Sequence, residues 1–288
     1  MFYRILERIP HHNLMICYIR KWLRMVGALG LLGRISRSTL KKDQLIIEAS
    51  ALDNAIQAYP ITLNEATAIR IGTIPQKFSG RLYRDGHLID ILATEISSGD
   101  VFWDIGANIG AYSFIASVLV GKKGLVISIE PEKKSFELLK ANMGKDSLGN
   151  VCIFNIGFGS SNAKVPIFAD QDAESGTHSL LKNSGNANES AQQMVSIYRG
   201  DEFYIKQKLA IPNIIKLDVE GFELNVLLGL KNVLLDQRCQ SILCEVHFQI
   251  LSDNNLMDTP SKIINLLKIC GFKNIRWLDL SHFLAKKS

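Results

Sequence analysis

Four short apolar runs in this chain each close on an acidic residue, and nothing else in the sequence restricts the fold so tightly. Val101–Ile105 ends with Asp104, Leu125–Ile129 runs into Glu130, Ile214–Leu217 into Asp218, and residues 241–246 close near Glu245 and His247. Helical patterns separate these runs. One covers residues 110–120. Pro131 suits the first position of the next, with Phe136, Leu139 and Met143 on one face and Gly144 at its end. A third runs over 222–230, and Thr259-Pro260 opens a fourth that Gly271 stops. Residues 151–156 read as another strand, and 274–277 and 280–284 as two closing strands. Strands alternating with helices predict an α/β fold with a mostly parallel sheet and helices on both faces. In such sheets ligands bind beyond the carboxyl ends of the strands, the edge to which these acids are assigned.

The sharpest local motif is Asp104-Ile-Gly-Ala-Asn-Ile-Gly110, between a strand and a helix. Gly106 permits a sharp turn and close approach of a ligand to the backbone, Gly110 a tight helix entry, and Asn108 offers an amide. A dinucleotide fingerprint needs Gly-x-Gly-x-x-Gly here, and Asn108 stands where its second glycine falls. Asp104 would also repel a pyrophosphate. An acid in this turn suits a cationic ligand with an amino-acid end and no phosphate, as S-adenosylmethionine is. Glu130 follows Gly110 by 20 residues, the usual place for a carboxylate that accepts ribose hydroxyls. The expected cofactor-binding set is Asp104, Gly106, Ala107, Asn108, Gly110 and Glu130, with Asn155 near the end of the next strand. No metal is expected.

The segments 101–113, Glu130-Pro131, Ile215-Lys-Leu-Asp-Val-Glu-Gly-Phe-Glu-Leu224 and Cys244-Glu-Val-His247 together resemble the FkbM family of S-adenosylmethionine-dependent methyltransferases. The Lys-x-Asp-Val-Glu-Gly-x-Glu block is the discriminating part. Asp201-Glu-Phe203 also resembles the family, with Arg199-Gly200 in place of an expected Thr-Leu. The resemblance covers roughly residues 80–280. It implies a Rossmann-like class I methyltransferase fold with a seven-stranded sheet, S-adenosylmethionine as cofactor, and O-methylation of a sugar, a glycan precursor or another hydroxylated metabolite.

A hydroxyl acceptor is a weak nucleophile at neutral pH and calls for a base. Asp218, Glu220, Glu223, Glu245 and His247 are the candidates. Asp218 is assigned to the methyl-transfer cleft, and Glu220 or His247 to the proton. Glu220 and Glu223, three apart, are expected to share a helix face. Asp218, Glu245 and His247 would also make an oxygen-and-imidazole set for a divalent ion, although their spacing matches no ligand motif. An N- or protein-directed methyltransferase of the same fold, an inactive binding member and a nicotinamide-dependent oxidoreductase are the competing readings. Asp218-Val-Glu-Gly in place of an Asn-Pro-Pro-Tyr-type strand end favours an oxygen acceptor.

Charge separates the N-terminal segment from the rest. Of 33 Lys/Arg and 28 Asp/Glu, nine bases and one acid fall within residues 1–42, a balance of +8 that leaves −3 for the remainder. The expected division is a basic helical arm with a small extension over 1–80 and the methyltransferase domain over 81–288. Ile19, Trp22, Leu23 and Val26 lie on one helical face, interrupted by Arg20, Lys21 and Arg24, so the arm is amphipathic and too short in its apolar runs to span a membrane. Packing on its own domain or a second subunit is one reading of the arm, and peripheral contact with an anionic membrane face is the other. No nucleic-acid motif accompanies the arm. Residues 43–59 read as a helix and 61–84 as short strands and turns. Residues 170–193, rich in Ser, Asn, Gln and Gly, are a long polar loop, read as a solvated insertion or a lid. The five cysteines include no Cys-x-x-Cys pair, which points to a reducing compartment, the cytoplasm.

Overall fold

The computed structural model describes residues 63–72, 74, 78, 82, 85–146, 149–169, 178–179 and 192–287. The arm at 1–42, the helix expected at 43–59 and most of the polar loop lie outside these residues. In chain order the elements are α1 (Glu65–Ile71), α2 (Gly86–Glu95), β1 (Val101–Ile105), α3 (Ala111–Val120), β2 (Leu125–Ile129), α4 (Lys133–Asp146) and β3 (Val151–Phe154). Then come β4 (Gly157–Gly159), β5 (Ala163–Ala169), β6 (His178–Ser179), β7 (Gln192–Arg199), α5 (Gly200–Gln207) and β8 (Ile214–Leu217). The chain closes with α6 (Glu223–Gly229), α7 (Lys231–Leu235), β9 (Ser241–Glu245), α8 (Phe248–Asp253), α9 (Thr259–Ile269), β10 (Phe272–Trp277) and β11 (His282–Lys287).

The main sheet has seven strands in the order β10-β11-β9-β8-β1-β2-β3. Every neighbouring pair is parallel except those of β11, which runs antiparallel to both β9 and β10. This is the architecture the sequence predicts. The chain progresses outward in one direction through β1, β2 and β3, and in the other from β8, so β1 and β8 flank the topological switch point. A second sheet, β4-β7-β5-β6, lies outside the main one.

Period-two alternation splits the core. Phe102 joins Leu88, Ile89, Leu92, Ile115 and Leu119 on the face covered by α2 and α3. Trp103 and Ile105 join Ile215, Leu217, Val226, Leu227 and Leu267 on the face covered by α6 and α9. Each buried Leu or Ile contributes about 1.5–3 kcal/mol relative to exposure, so both faces hold the sheet strongly.

Local differences from the sequence reading have identifiable causes. Residues 65–71 form a helix rather than a strand. Asn64 caps it by accepting from the Thr67 N–H at 2.9 Å, and the Arg70 guanidinium binds the Ala93 and Ile96 carbonyls at the end of α2. Ile71, Phe78 and Leu82 belong to the same core as α3, so packing runs across residue 80. Pro131 does not open α4: the helix begins at Lys133, and Glu132 before it acts as the cap, its carboxylate accepting from the Lys134 and Ser135 N–H groups at 2.9 and 2.6 Å. Gly144 lies inside α4 and does not end it. No helix among the described residues is long and apolar enough to cross a membrane.

Candidate active site

A cleft of about 650 Å³, open mouth included, lies at the carboxyl edge between the tips of β1, β2 and β8. Gly106, Asn108, Glu130, Asp218 and Glu220 supply its polar lining; Ile129, Pro131, Phe158, Ile167, Ile197 and Phe222 supply apolar walls. The second sheet contributes Phe158, Ile167 and Ile197, so it forms one side of the cleft.

The floor is the turn after β1. Gly106 and Ala107 both donate to the Ile129 carbonyl at 3.0 Å, which ties the turn to the tip of β2. Gly106 has φ +83°, and a Cβ there would stand 1.7 Å from the Asp218 carbonyl oxygen, so only glycine lets the β1 and β8 tips approach this closely. Gly110, at φ +90°, is pressed by Leu139 and Met143 of α4 and serves helix packing. Ala107 is buried.

Glu130 is 6% exposed. Its oxygens accept N–H bonds from Asn108 and Glu132, both at 2.8 Å, and each keeps a lone-pair direction for a further donor. Burial pushes its pKa up to about 7 against the pull of those two N–H groups. Asn155 stands behind it, donating to the Glu130 and Pro131 carbonyls at 2.9 and 3.1 Å, so it braces the strand end.

Asp104 is placed differently from the expectation. It is fully buried and does not line the cleft. Its Oδ2 accepts from Ser113 at 2.6 Å, while Oδ1 has no partner. Burial raises its pKa despite Lys216 and Ser113. In register it lies between Ser128 of β2 and Lys216 of β8, a polar row across three strands.

Lys216 carries a role the sequence reading missed, although a lone lysine in the strand Ile-Ile-Lys-Leu was a visible signal. It is 6% exposed, sits 4.6 Å from the centre of the Tyr112 ring and pairs with Asp218 Oδ2 at 3.0 Å. Tyr112 in turn donates to Asp85 at 2.9 Å. Burial alone would raise the Asp218 pKa; Lys216 and then His247 outweigh it and hold the carboxyl below its ordinary value.

The other lip gathers the proposed catalytic groups. His247 Nε2 lies 3.1 Å from Glu220, 3.5 Å from Asp218 and 3.9 Å from Glu245, while Nδ1 meets Glu223 Oε1 at 2.8 Å. Glu220 and Glu223 do not share a helix face, because α6 begins only at Glu223. Glu220 sits before it in a left-handed turn, at φ +51°, followed by Gly221 at +94°. A non-glycine residue in that region is strained, a cost of about 1–3 kcal/mol, and such strain clusters at functional sites. Burial pushes Glu220 up to about 7, with Asp218, Glu245 and Glu223 adding to the effect against His247. Burial opposes charge on His247, but Glu223, Glu220 and Asp218 raise it to about 10. Asp218, Glu220 and His247 each place one ligand atom within 4.8 Å of the others, near enough to share one positive charge, a ring proton or a divalent cation. Glu245 turns its second oxygen to His282 at 3.2 Å.

These residues fit S-adenosylmethionine chemically. The buried Asp104 Oδ1 has no hydrogen-bond partner beneath the turn, Glu130 offers acceptors for hydroxyls, and the apolar walls suit a purine.

The model of the FkbM methyltransferase domain matches residues 104–273. The hexuronic acid methyltransferase AglP of Haloferax volcanii is 31% identical over 160 residues, 56% of this chain and 61% of that protein. A probable cobalt-precorrin-6B C(15)-methyltransferase of Sulfurisphaera tokodaii is 44% identical over 55 residues, 19% of this chain and 29% of that one. The chain therefore spans less than two thirds of either relative. The crystal structure of precorrin-6y C5,15-methyltransferase from Geobacter metallireducens superposes with a TM-score of 0.43 at 14% identity, covering 71% of this chain and 88% of that one.

Proposed function

This chain belongs to the FkbM methyltransferase family, and from that premise we propose that it transfers the methyl group of S-adenosylmethionine to a hydroxyl oxygen of a saccharide or other hydroxylated small molecule. The observation that carries this reading is the pairing, across one cleft, of the Glu130 carboxylate at the β2 tip with the Asp218–Glu220–His247 cluster beyond β8. The relative named for a hexuronic acid supports a uronic-acid sugar or glycan as the acceptor class.

Bound S-adenosylmethionine would supply an electrophilic methyl group on a sulfonium. Glu130 and Asn108 would hold it by its hydroxyls and polar edge, and Ile129, Pro131 and Phe158 would exclude water around its apolar part. Glu220 is the proton acceptor: it lines the cleft, and a pKa near 7 matches it to neutral pH, where about half of it is ionised and able to take a hydroxyl proton. A positioned base contributes about 10²–10⁴-fold. His247 already carries its own proton at that pH and acts as the cation that holds Glu220 and Asp218 together. Asp218 stays ionised beside Lys216 and presents fixed negative charge to the cationic end of the cofactor. Asp104, Ala107, Gly110 and Asn155 support the cofactor site by shaping the turn and the β2 tip.

The test begins with calorimetric titration of S-adenosylhomocysteine, with NAD as control. Micromolar binding, lost in Glu130→Ala, is expected. Glu220→Gln and Asp218→Ala should retain a folded chain and lose turnover by about 100-fold or more on uronic-acid acceptors. Near-normal turnover of Asp218→Ala at saturating acceptor would refute its role. The basic segment 1–42 suits an acceptor presented at an anionic membrane face, and co-sedimentation with vesicles of neutral and of anionic lipid tests that reading.

A further inference from the structure

We propose that Glu223 is the positioning residue of this site, a single buried carboxylate that sets both the His247 ring and the turn carrying Glu220. The inference deepens the reading above and rests on it for the roles of Glu220 and His247.

Glu223 is fully buried at the first position of α6. Its Oε1 accepts from the Gly221 N–H at 2.9 Å and meets His247 Nδ1 at 2.8 Å. The first bond anchors the left-handed pair Glu220-Gly221, so the backbone that aims Glu220 is held by the same oxygen that holds the ring. Oε2 has no hydrogen-bond partner, an expensive state for a buried carboxylate oxygen, so helix capping alone does not account for the residue.

Oε1 already accepts the Gly221 N–H, so it meets Nδ1 as an acceptor and calls for a hydrogen on that nitrogen. On the opposite side of the ring, Nε2 faces Glu220, Asp218 and Glu245. Among the described residues, the titratable groups that face it are these four carboxylates, reaching the ring from α6, from the turn and strand end after β8 and from β9. Lys216 stands behind Asp218, and His282 behind Glu245. With acceptors on both sides the ring is fixed as a doubly protonated donor, and Nε2 is presented to the two acids of the cleft. Glu223 thus does for His247 what an orienting carboxylate does for a metal-bound or catalytic histidine.

The experiment is ring-nitrogen NMR of the full chain carrying labelled histidine, titrated in wild type, Glu223→Gln and Glu223→Asp, alongside the pH profile of methyl transfer. Glutamine keeps an acceptor and removes the charge; aspartate keeps the charge on a shorter arm. In wild type, His247 is expected to hold hydrogens on both nitrogens at neutral pH. Glu223→Gln should lower its titration midpoint by about one pH unit or more, the usual effect of losing an opposing charge. It should also lower kcat by about ten- to hundredfold without changing affinity for S-adenosylhomocysteine. Glu223→Asp should recover most of the midpoint. An unchanged midpoint in a folded Glu223→Gln chain overturns the inference, as does a lowered midpoint with wild-type kcat. The ring signal needs no turnover, so a protein that methylates no hydroxyl but shows the shift refutes the functional reading while leaving the Glu223–His247 contact established.

Discussion

Replacing Gly106 by alanine tests whether the site depends on the contact between the β1 and β8 tips. The substitution meets two separate obstacles. Gly106 has φ +83°, where an L-residue costs about 1–2 kcal/mol. Its new methyl would stand 1.7 Å from the Asp218 carbonyl oxygen and 2.8 Å from its carbonyl carbon, which are backbone atoms that no rotamer change can clear. Forced repacking of this kind costs about 1–3 kcal/mol. The sum, about 2–5 kcal/mol, is a large part of the roughly 5–15 kcal/mol that holds a domain folded. At about 2–4 °C per kcal/mol for a domain of this size, the melting temperature should fall by about 4–20 °C. Relief can come only by parting the two tips, so affinity for S-adenosylhomocysteine should fall with it. Gly144→Ala is the matched control. That glycine is exposed inside α4 with no atom within 4 Å of the added methyl, and alanine should gain about 0.5–1 kcal/mol there. A Gly106→Ala protein that melts within about 2 °C of wild type and binds the product normally would refute the reasoning.

Other outcomes follow from the same contacts. His247 binds its proton more tightly in the folded chain, at about 10, than the 6.5 of an ordinary histidine. Its stabilising share is complete below about pH 6.5 and lost as pH rises through 10, so thermal melts across that range should show an alkaline decline that His247→Gln reduces. His282, raised to about 9 by Asp279 and Glu245 against burial, should keep the variant's slope from vanishing. Asp201 is buried and accepts from the Asn232 and Val233 N–H groups at the start of α7 at 3.0–3.2 Å. Asp201→Ala should cost about 2–3 kcal/mol by denaturant titration while leaving product affinity intact, and a loss of affinity equal to that of Glu130→Ala would contradict the assignment of Asp201 to the scaffold.

The legible part of this protein is the part governed by period and by chain direction. Parallel strands separated by helices share one carboxyl edge, so acids at the ends of β1, β2, β8 and β9 had to come near one another. Side-chain direction was equally legible for Asp104. It lies two residues after Phe102, so strand alternation sends both to the α3 face, away from the cleft that Glu130, beyond its strand, can reach. The same parity places Lys216 in Asp104's row. What no periodicity reports is the left-handed turn at Glu220-Gly221, which breaks the helical spacing assumed for Glu220 and Glu223 and sends both side chains to one imidazole from different directions.

That convergence also explains why so acidic an edge is stable. Asp218, Glu220, Glu223 and Glu245 within a few ångströms would repel one another, and burial would magnify the repulsion. Lys216 neutralises one side of Asp218, and His247 faces all four carboxylates. The charge that balances the cluster is thus also the charge that sorts it: Asp218, between both cations, is held ionised, while Glu220, raised by burial and by Asp218, Glu245 and Glu223 against His247, stays near 7. Two carboxylates two residues apart are thereby given separate tasks, one a fixed charge and the other a proton acceptor, and the division requires the ring to remain cationic. Removing the ring should therefore collapse the distinction. In His247→Gln the acidic limb of the methyl-transfer pH profile, set by Glu220, should move upward, because the attraction of His247 that lowers the Glu220 pKa is gone. A limb that stays in place or moves downward would refute the assignment of that limb to Glu220.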